Sequence, residues 1–182
     1  MAFKYYGSLD PNAGRLLMSG DGDDGLSGDF IINNSAVIQI GDQVKTDANG
    51  NVVEGTAGAV VLGIIVGVGQ NGISVDPDSG TQDVFTVASD NETVGKKYAI
   101  VDVSRNSLYS ASQDGTAGTT ANSNKRGAII DAVSENQLNE TSATRTLTGG
   151  GQFYTWGVDP VDSTRLIVSI NESEIFQGGA GS

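Results

Sequence analysis

Two acidic stretches are the first places in this sequence where chemistry could reside. "DGDDG", Asp21 to Gly25 with Asp29 just beyond, and "DPDSGTQD", Asp76 to Asp83, crowd oxygen ligands as a hard divalent cation requires. Neither spacing fits a helix-loop-helix calcium loop. From Asp21, the third ligand position falls on Gly25, the turn glycine on Leu26 and the bidentate Glu on Ile32; from Asp76, the glycine position falls on Thr81. A solvated acidic arm and a Pro-Asp turn are the simpler readings, and no metal ligand is assigned. Paired carboxylates could also hydrolyse a glycosidic bond, which needs neither His nor Cys. Sugar clefts rely on aromatic platforms, however, and aromatic residues make up only 6% of this chain, with one Trp.

Other catalytic schemes fail on residue type. The 182 residues contain no Cys and no His, which removes disulfides, thiolates, the common nucleophile–base arrangements and the usual zinc ligands. "GVGQNG", Gly67 to Gly72, and "GGGQ", Gly149 to Gln152, lack the Lys of a phosphate loop and any helical pattern after them. The expectation is a protein that is not an enzyme and needs no cofactor.

Charge and hydropathy restrict the partners. A net charge of −12 repels phosphate backbones and anionic membranes. Lys96-Lys97 and Lys125-Arg126, the adjacent basic pairs, are too small to track a nucleic acid. The longest apolar run, Ala59 to Val68, is far short of a membrane span, and "MAFKYYGSLDP" has no apolar signal core. Synthesis in a cytoplasm is expected, with neither nucleic acid nor membrane as partner.

The elements that would position any site follow a period of two. Short β-branched runs at Phe30 to Ile32, Ala36 to Ile40, Val52-Val53, Val60 to Val68, Val84 to Val87, Tyr98 to Val103, Ala128 to Val133 and Leu166 to Ile170 are each bounded by Gly, Asn, Asp or Ser. The fold class is therefore all-β: a small β-barrel or β-sandwich of short strands with extended polar N- and C-terminal arms. Asn49-Gly50 predicts a type I′ hairpin, and Arg105-Asn106 a second hairpin. Helix is expected only in scraps, at Ser134 to Asn139 and Glu172 to Phe176. "VKTDANGNVVEGTAG…GII" and "AIVDVSRNSLYSASQDGTAG…GAII" share an order of motifs that suggests two related meanders, with 115–123 as an exposed loop. Composition divides the chain into an N-terminal arm (1–29), a β-rich domain (30–176) and a C-terminal tail (177–182).

The aromatics mark contact surfaces. In "GGGQFYTWGVDP", alternation puts Tyr154 and Trp156 on one face of a strand and Phe153 on the other, which makes Tyr154 and Trp156 candidates for contacts between protomers. In the N-terminal arm, Phe3, Tyr5, Tyr6, Leu16 and Leu17 are candidates for contacts with a partner, either docking into its groove or adding a strand to its edge.

The run Gly41-Asp42-Gln43-Val44, Asp47 to Gly50, Val52-Val53, Thr56-Ala57-Gly58 and Val61-Leu62-Gly63-Ile64 resembles the head-decoration, or capsid cement, proteins of tailed bacteriophages. The resemblance covers residues 41 to 64. It implies a β-rich virion protein without catalytic activity, on the exterior of the expanded capsid. Its implied partners are the major capsid protein and its own copies, often as a trimer, with an N-terminal arm crossing neighbouring capsid subunits. A tail or fibre component and a carbohydrate-binding β-domain are the alternatives.

Overall fold

Branched and aromatic residues alternating with small polar ones suit a pleated, half-buried surface. The computed structural model, which describes residues 3–10, 12, 16–18, 30–70, 73–75, 84–94, 96–114, 126–139 and 151–171, contains fifteen strands and no helix among those residues.

A five-stranded sheet runs in the order β1 (Lys4–Ser8), β10 (Ser107–Ser112), β15 (Arg165–Ile170), β14 (Phe153–Val158), β11 (Ile129–Ile130). A second sheet runs β2 (Leu17–Met18), β9 (Lys97–Asp102), β6 (Gly63–Gln70), β4 (Gln43–Thr46), β5 (Val52–Glu54), with β7 (Ile73–Val75) also paired to β6. Two ribbons complete the fold: β3 (Val37–Gln39) with β8 (Val84–Thr86), and β12 (Ala132–Ser134) with β13 (Gln137–Leu138). All pairings between these strands are antiparallel. The fold is all-β; among the described residues neither main sheet closes into a barrel, and the arrangement is compatible with a β-sandwich.

Two large core clusters lie around β6, which contributes to both and to a small third one of Val66, Tyr98 and Ile100. Ile64 joins Phe3, Tyr109, Ile130, Leu138, Phe153, Leu166 and Val168 beneath the five-stranded sheet. Its neighbour Ile65 points the other way, into a cluster with Ile32, Ile38, Val44, Val52, Val68 and Val101. Consecutive strand residues face opposite sides, so one strand can wall two cores.

The glycines of β6 have separate causes. A Cβ on Gly63 would stand 2.5 Å from the Asp102 carbonyl oxygen, a backbone atom that cannot turn aside. Gly67 follows a break in the register between β6 and β9. Gly69 lies opposite Tyr98, whose ring occupies the space a side chain would take.

Several local expectations need correction. The β4–β5 hairpin forms, but only Gly50 of its turn has a positive φ, at 86°. Asp47 O accepts from Gly50 N–H (3.1 Å) and Asp47 N–H donates to Asn51 O (2.9 Å), which makes a type I turn closed by a left-handed glycine. Asp47 Oδ1 accepts from Asn49 and Asn51 N–H, and this side-chain cap favours the type I geometry over the expected I′. The turn at Arg105-Asn106 is no hairpin, because β9 and β10 belong to different sheets. The sequence echo therefore shares a turn grammar and not a pairing scheme. Ser134 to Asn139 is the β12–β13 ribbon and not helix: Leu138 is buried opposite Ala132, and Ser134 and Asn136 bond each other across the turn. The expected helix at 172–176, the loop at 115–123, the tail at 177–182 and the acidic stretches at 21–29 and 76–83 lie outside the described residues.

Gly63→Ala is expected to lower the unfolding free energy by about 1–3 kcal/mol, the usual effect of overpacking. Gly7→Ala, where a Cβ would meet nothing within 4 Å, is expected to stay within about 0.5 kcal/mol of the parent. Urea denaturation of both variants checks this, and equal effects would contradict the close approach at Gly63.

Candidate functional site

The N-terminal segment edges both sheets at once. In β1, Lys4, Tyr5, Gly7 and Ser8 pair with Ser110, Tyr109, Leu108 and Ser107. Leu9 N–H donates to Asn106 O (2.8 Å), Leu16 O accepts from Val103 N–H (2.9 Å), and Leu17 and Met18 pair with Asp102 and Val101. The segment thus shadows the chain from Ser110 back to Val101, around the corner where it passes from one sheet to the other. Asp102 shapes that corner: its buried carboxylate accepts from Ser104 N–H (2.9 Å) and from the Ser107 hydroxyl (2.8 Å).

This ribbon exposes Tyr5, Tyr6, Leu9, Leu16 and Leu17, with Leu16 at 58%. Leu9 was not singled out by sequence, since a lone Leu before Asp-Pro carries no period. Phe3 is corrected: at 3% exposure it stacks on Phe153 (4.8 Å) and meets Tyr109 edge-on, so it belongs to this chain's own core. Its apolar ring found the inner face of the sheet whose edge β1 forms. Tyr5 also leans on Tyr109, with ring centroids 6.4 Å apart. Tyr6 has no partner across the ladder, because the register shifts between Tyr5 and Gly7. A bulge on an edge strand discourages strand addition and re-aims a side chain, so the ribbon suits docking of side chains better than extension of a sheet.

Trp156 repeats the device. The register of β14 against β15 shifts between Thr155 and Gly157, which leaves Trp156 as the extra residue. Phe153 lies in the core, while Trp156 stands 39% exposed, edge-on to the half-buried Tyr154 (4.9 Å), with its indole N–H donated to Ser169 Oγ (3.0 Å). The expected division of these aromatics between two faces of the strand is present.

Beneath the surface lie polar groups that sequence reasoning did not find. Arg165, buried, donates from Nε to Ser110 Oγ (2.8 Å), and the Ser110 hydroxyl donates to Asp159. Burial pushes the Arg165 guanidinium below its ordinary value, opposed by Asp162 and Asp159. Burial would raise Asp159, but the Ser110 hydroxyl, the amides of Val161 and Asp162 and the Arg165 charge together hold it low. This cluster ties β10 to β15 and the turn beside them.

Gln43 and Gln152 form the second polar group. Gln152, 1% exposed, donates from Nε2 to Ala59 O (2.7 Å), Thr56 O (3.0 Å) and Gln43 Oε1 (3.3 Å), while its Oε1 accepts from Ala132 N–H (2.8 Å) and Gly58 N–H (3.3 Å). Gln43 donates to Ser134 O (3.0 Å) from its side chain and to Glu135 O (2.7 Å) from its backbone. The two amides join the loop after β5 to the β12–β13 ribbon and the start of β14. No spacing could announce them, because they stand 109 residues apart.

Among the described residues no three His, Cys, Asp or Glu side chains are placed to hold a metal ion, and no helix is long and apolar enough to cross a membrane. No family, curated protein or solved structure matches the chain.

Gln152→Leu is expected to cost about 1–3 kcal/mol in urea denaturation, because it removes the partner of the buried Ala132 N–H and of the buried Gln43 amide oxygen. A loss under about 1 kcal/mol would show that the bonds at Gln152 hold little.

Proposed function

We propose that the chain is a structural virion protein of a tailed bacteriophage that binds the exterior of the assembled capsid and stabilises it. The single observation that carries this reading is the N-terminal ribbon, where Tyr5, Tyr6, Leu9, Leu16 and Leu17 crowd exposed apolar area along one edge shared by both sheets. A soluble chain of charge −12 gains nothing from such an edge unless a partner covers it. The resemblance of residues 41–64 to capsid cement proteins supplies the partner, the major capsid protein. The segment that carries it folds here as the β4–β5 hairpin and the start of β6.

The mechanism is linkage. A protein that binds the assembled lattice and not its separated subunits shifts the equilibrium toward the lattice, and symmetry multiplies each weak contact. Tyr5, Tyr6, Leu16 and Leu17 make the capsid contact; Tyr154 and Trp156 make the contact between protomers, in a homo-oligomer that is a trimer on this reading. No catalytic step, cofactor, nucleic acid or membrane enters it. The second reading, a carbohydrate-binding β-domain, is favoured by the exposed Trp156 ring beside Tyr154.

Co-sedimentation with phage shells before and after expansion tests the proposal. Saturable binding to expanded shells is expected, weakened at least about tenfold, or about 1.4 kcal/mol, by Leu16→Asp with Leu17→Asp, both on exposed side chains. Trp156→Ala is expected to reduce self-association in analytical ultracentrifugation. Absence of binding to any shell would overturn the capsid reading, and retention on immobilised glycans that Trp156→Ala abolishes would favour the second.

A further inference from the structure

Asp42 stands where three parts of the chain meet. Its N–H donates to Gln39 O (3.0 Å) and its carbonyl accepts from Ile65 N–H (2.9 Å). On one side, Gly41 O accepts from Phe3 N–H (2.9 Å), one of the bonds that hold the start of the N-terminal ribbon. On the other, Gln43 bonds Glu135 O and Ser134 O in the turn between β12 and β13. One residue therefore separates the anchor of the ribbon from the amide network between the sheets.

The side chain of Asp42 is 2% exposed. Oδ2 accepts from Gln39 N–H (2.8 Å), whereas the buried Oδ1 has no hydrogen-bond partner. An ionised carboxylate buried with one oxygen unpaired lacks compensation, so this site tolerates the neutral acid far better. The charges around it point the same way. Glu135 faces it from the β12–β13 turn and Glu54 from β5. Burial, resisted by the Gln39 amide and reinforced by Glu135 and Glu54, lifts the carboxyl to about 7. Glu54 is itself raised by burial and by Glu135.

We propose that Asp42 is a proton-operated latch: neutral, it lets the Gly41–Gln43 backbone close on the β12–β13 turn and on Phe3; ionised, it loosens both, and the start of the N-terminal ribbon loses its bond to Gly41. An outward shift of the Gly41–Gln43 backbone brings water to the charge, and that backbone holds the Phe3 and Glu135 bonds. The inference does not depend on what the ribbon binds. Its sign follows from the direction of the shift. Between about pH 4, where a free Asp titrates, and about pH 7, the folded chain holds a proton that the unfolded chain has released. Stability is fully present below that window, falls as pH rises through it, and levels off above it.

The test uses the full chain and Asp42→Asn, which keeps the shape and removes the charge. Urea denaturation from pH 4.5 to 8.5 is expected to show the folded-to-unfolded ratio of the parent falling, relative to Asp42→Asn, by up to about tenfold per pH unit. Amide exchange, corrected for its intrinsic pH dependence, is expected to accelerate at Phe3 and Gln43 over the same window in the parent alone. Parallel pH profiles for the two chains would overturn the latch, as would unchanged protection at Phe3 while stability falls. Should Asp42→Asn fail to fold, carbon-detected titration of the parent decides: a midpoint for Asp42 near 7 with matching loss of Phe3 protection supports the latch, and a midpoint below about 5 removes it.

Discussion

The buried amide of Gln152 is the constraint on which the rest of this structure depends. A β-rich chain with two separate cores has no reason of packing alone to hold its sheets in one relation, because apolar contact is non-directional. Gln152 supplies direction. It donates to three acceptors and accepts from two amides, and four of those five partners are backbone groups. The Gln152 amide and the Ala132 N–H are buried and need their partners, which ties the loop after β5 and the β12–β13 ribbon to the start of β14. Asn91 does the same on the other side: its buried amide donates to Ile32 O and Lys97 O and accepts from Lys97 N–H, holding the segment before β3 against β9.

From that constraint the exposed features follow. With the five-stranded sheet fixed against β6, the core closes over Phe3, and Phe3 in turn lays β1 along the edge. The corner at Asp102 carries the same segment on to the second sheet, which brings Tyr5, Tyr6, Leu9, Leu16 and Leu17 into one ribbon. Tyr6 and Trp156, both exposed, sit at breaks in register. An extra residue in a strand has no ladder partner to pair with, so its side chain is available at little cost to the sheet.

What could be read from the sequence was local. The alternation that places Phe153 inside and Tyr154 and Trp156 outside needs only neighbouring residues, and so does the hairpin signal at Asp47 to Asn51. The destination of a strand needs more. The turn at Arg105-Asn106 has the composition of a hairpin, yet it delivers β10 to a different sheet from β9, a choice made by Tyr109 and Ala111 finding the core around Phe153. Phe3 looked like part of a polar arm because its partners lie at Gly41, Tyr109 and Phe153, distances that no window spans. Gln43, Gln152 and Asp42 were invisible as functional residues for the same reason: a polar side chain becomes structural through burial, and burial here is decided by segments far apart in the chain.

If the amide network makes the two sheets one cooperative structure, the most direct measurement is native-state hydrogen exchange under increasing urea. The account predicts that amides of β6 and β9, such as Ile65 and Val101, converge on the same opening free energy as amides of β14 and β15, such as Phe153 and Val168. Two plateaus, one for each sheet, would contradict it and would mean that the sheets open independently of the network between them.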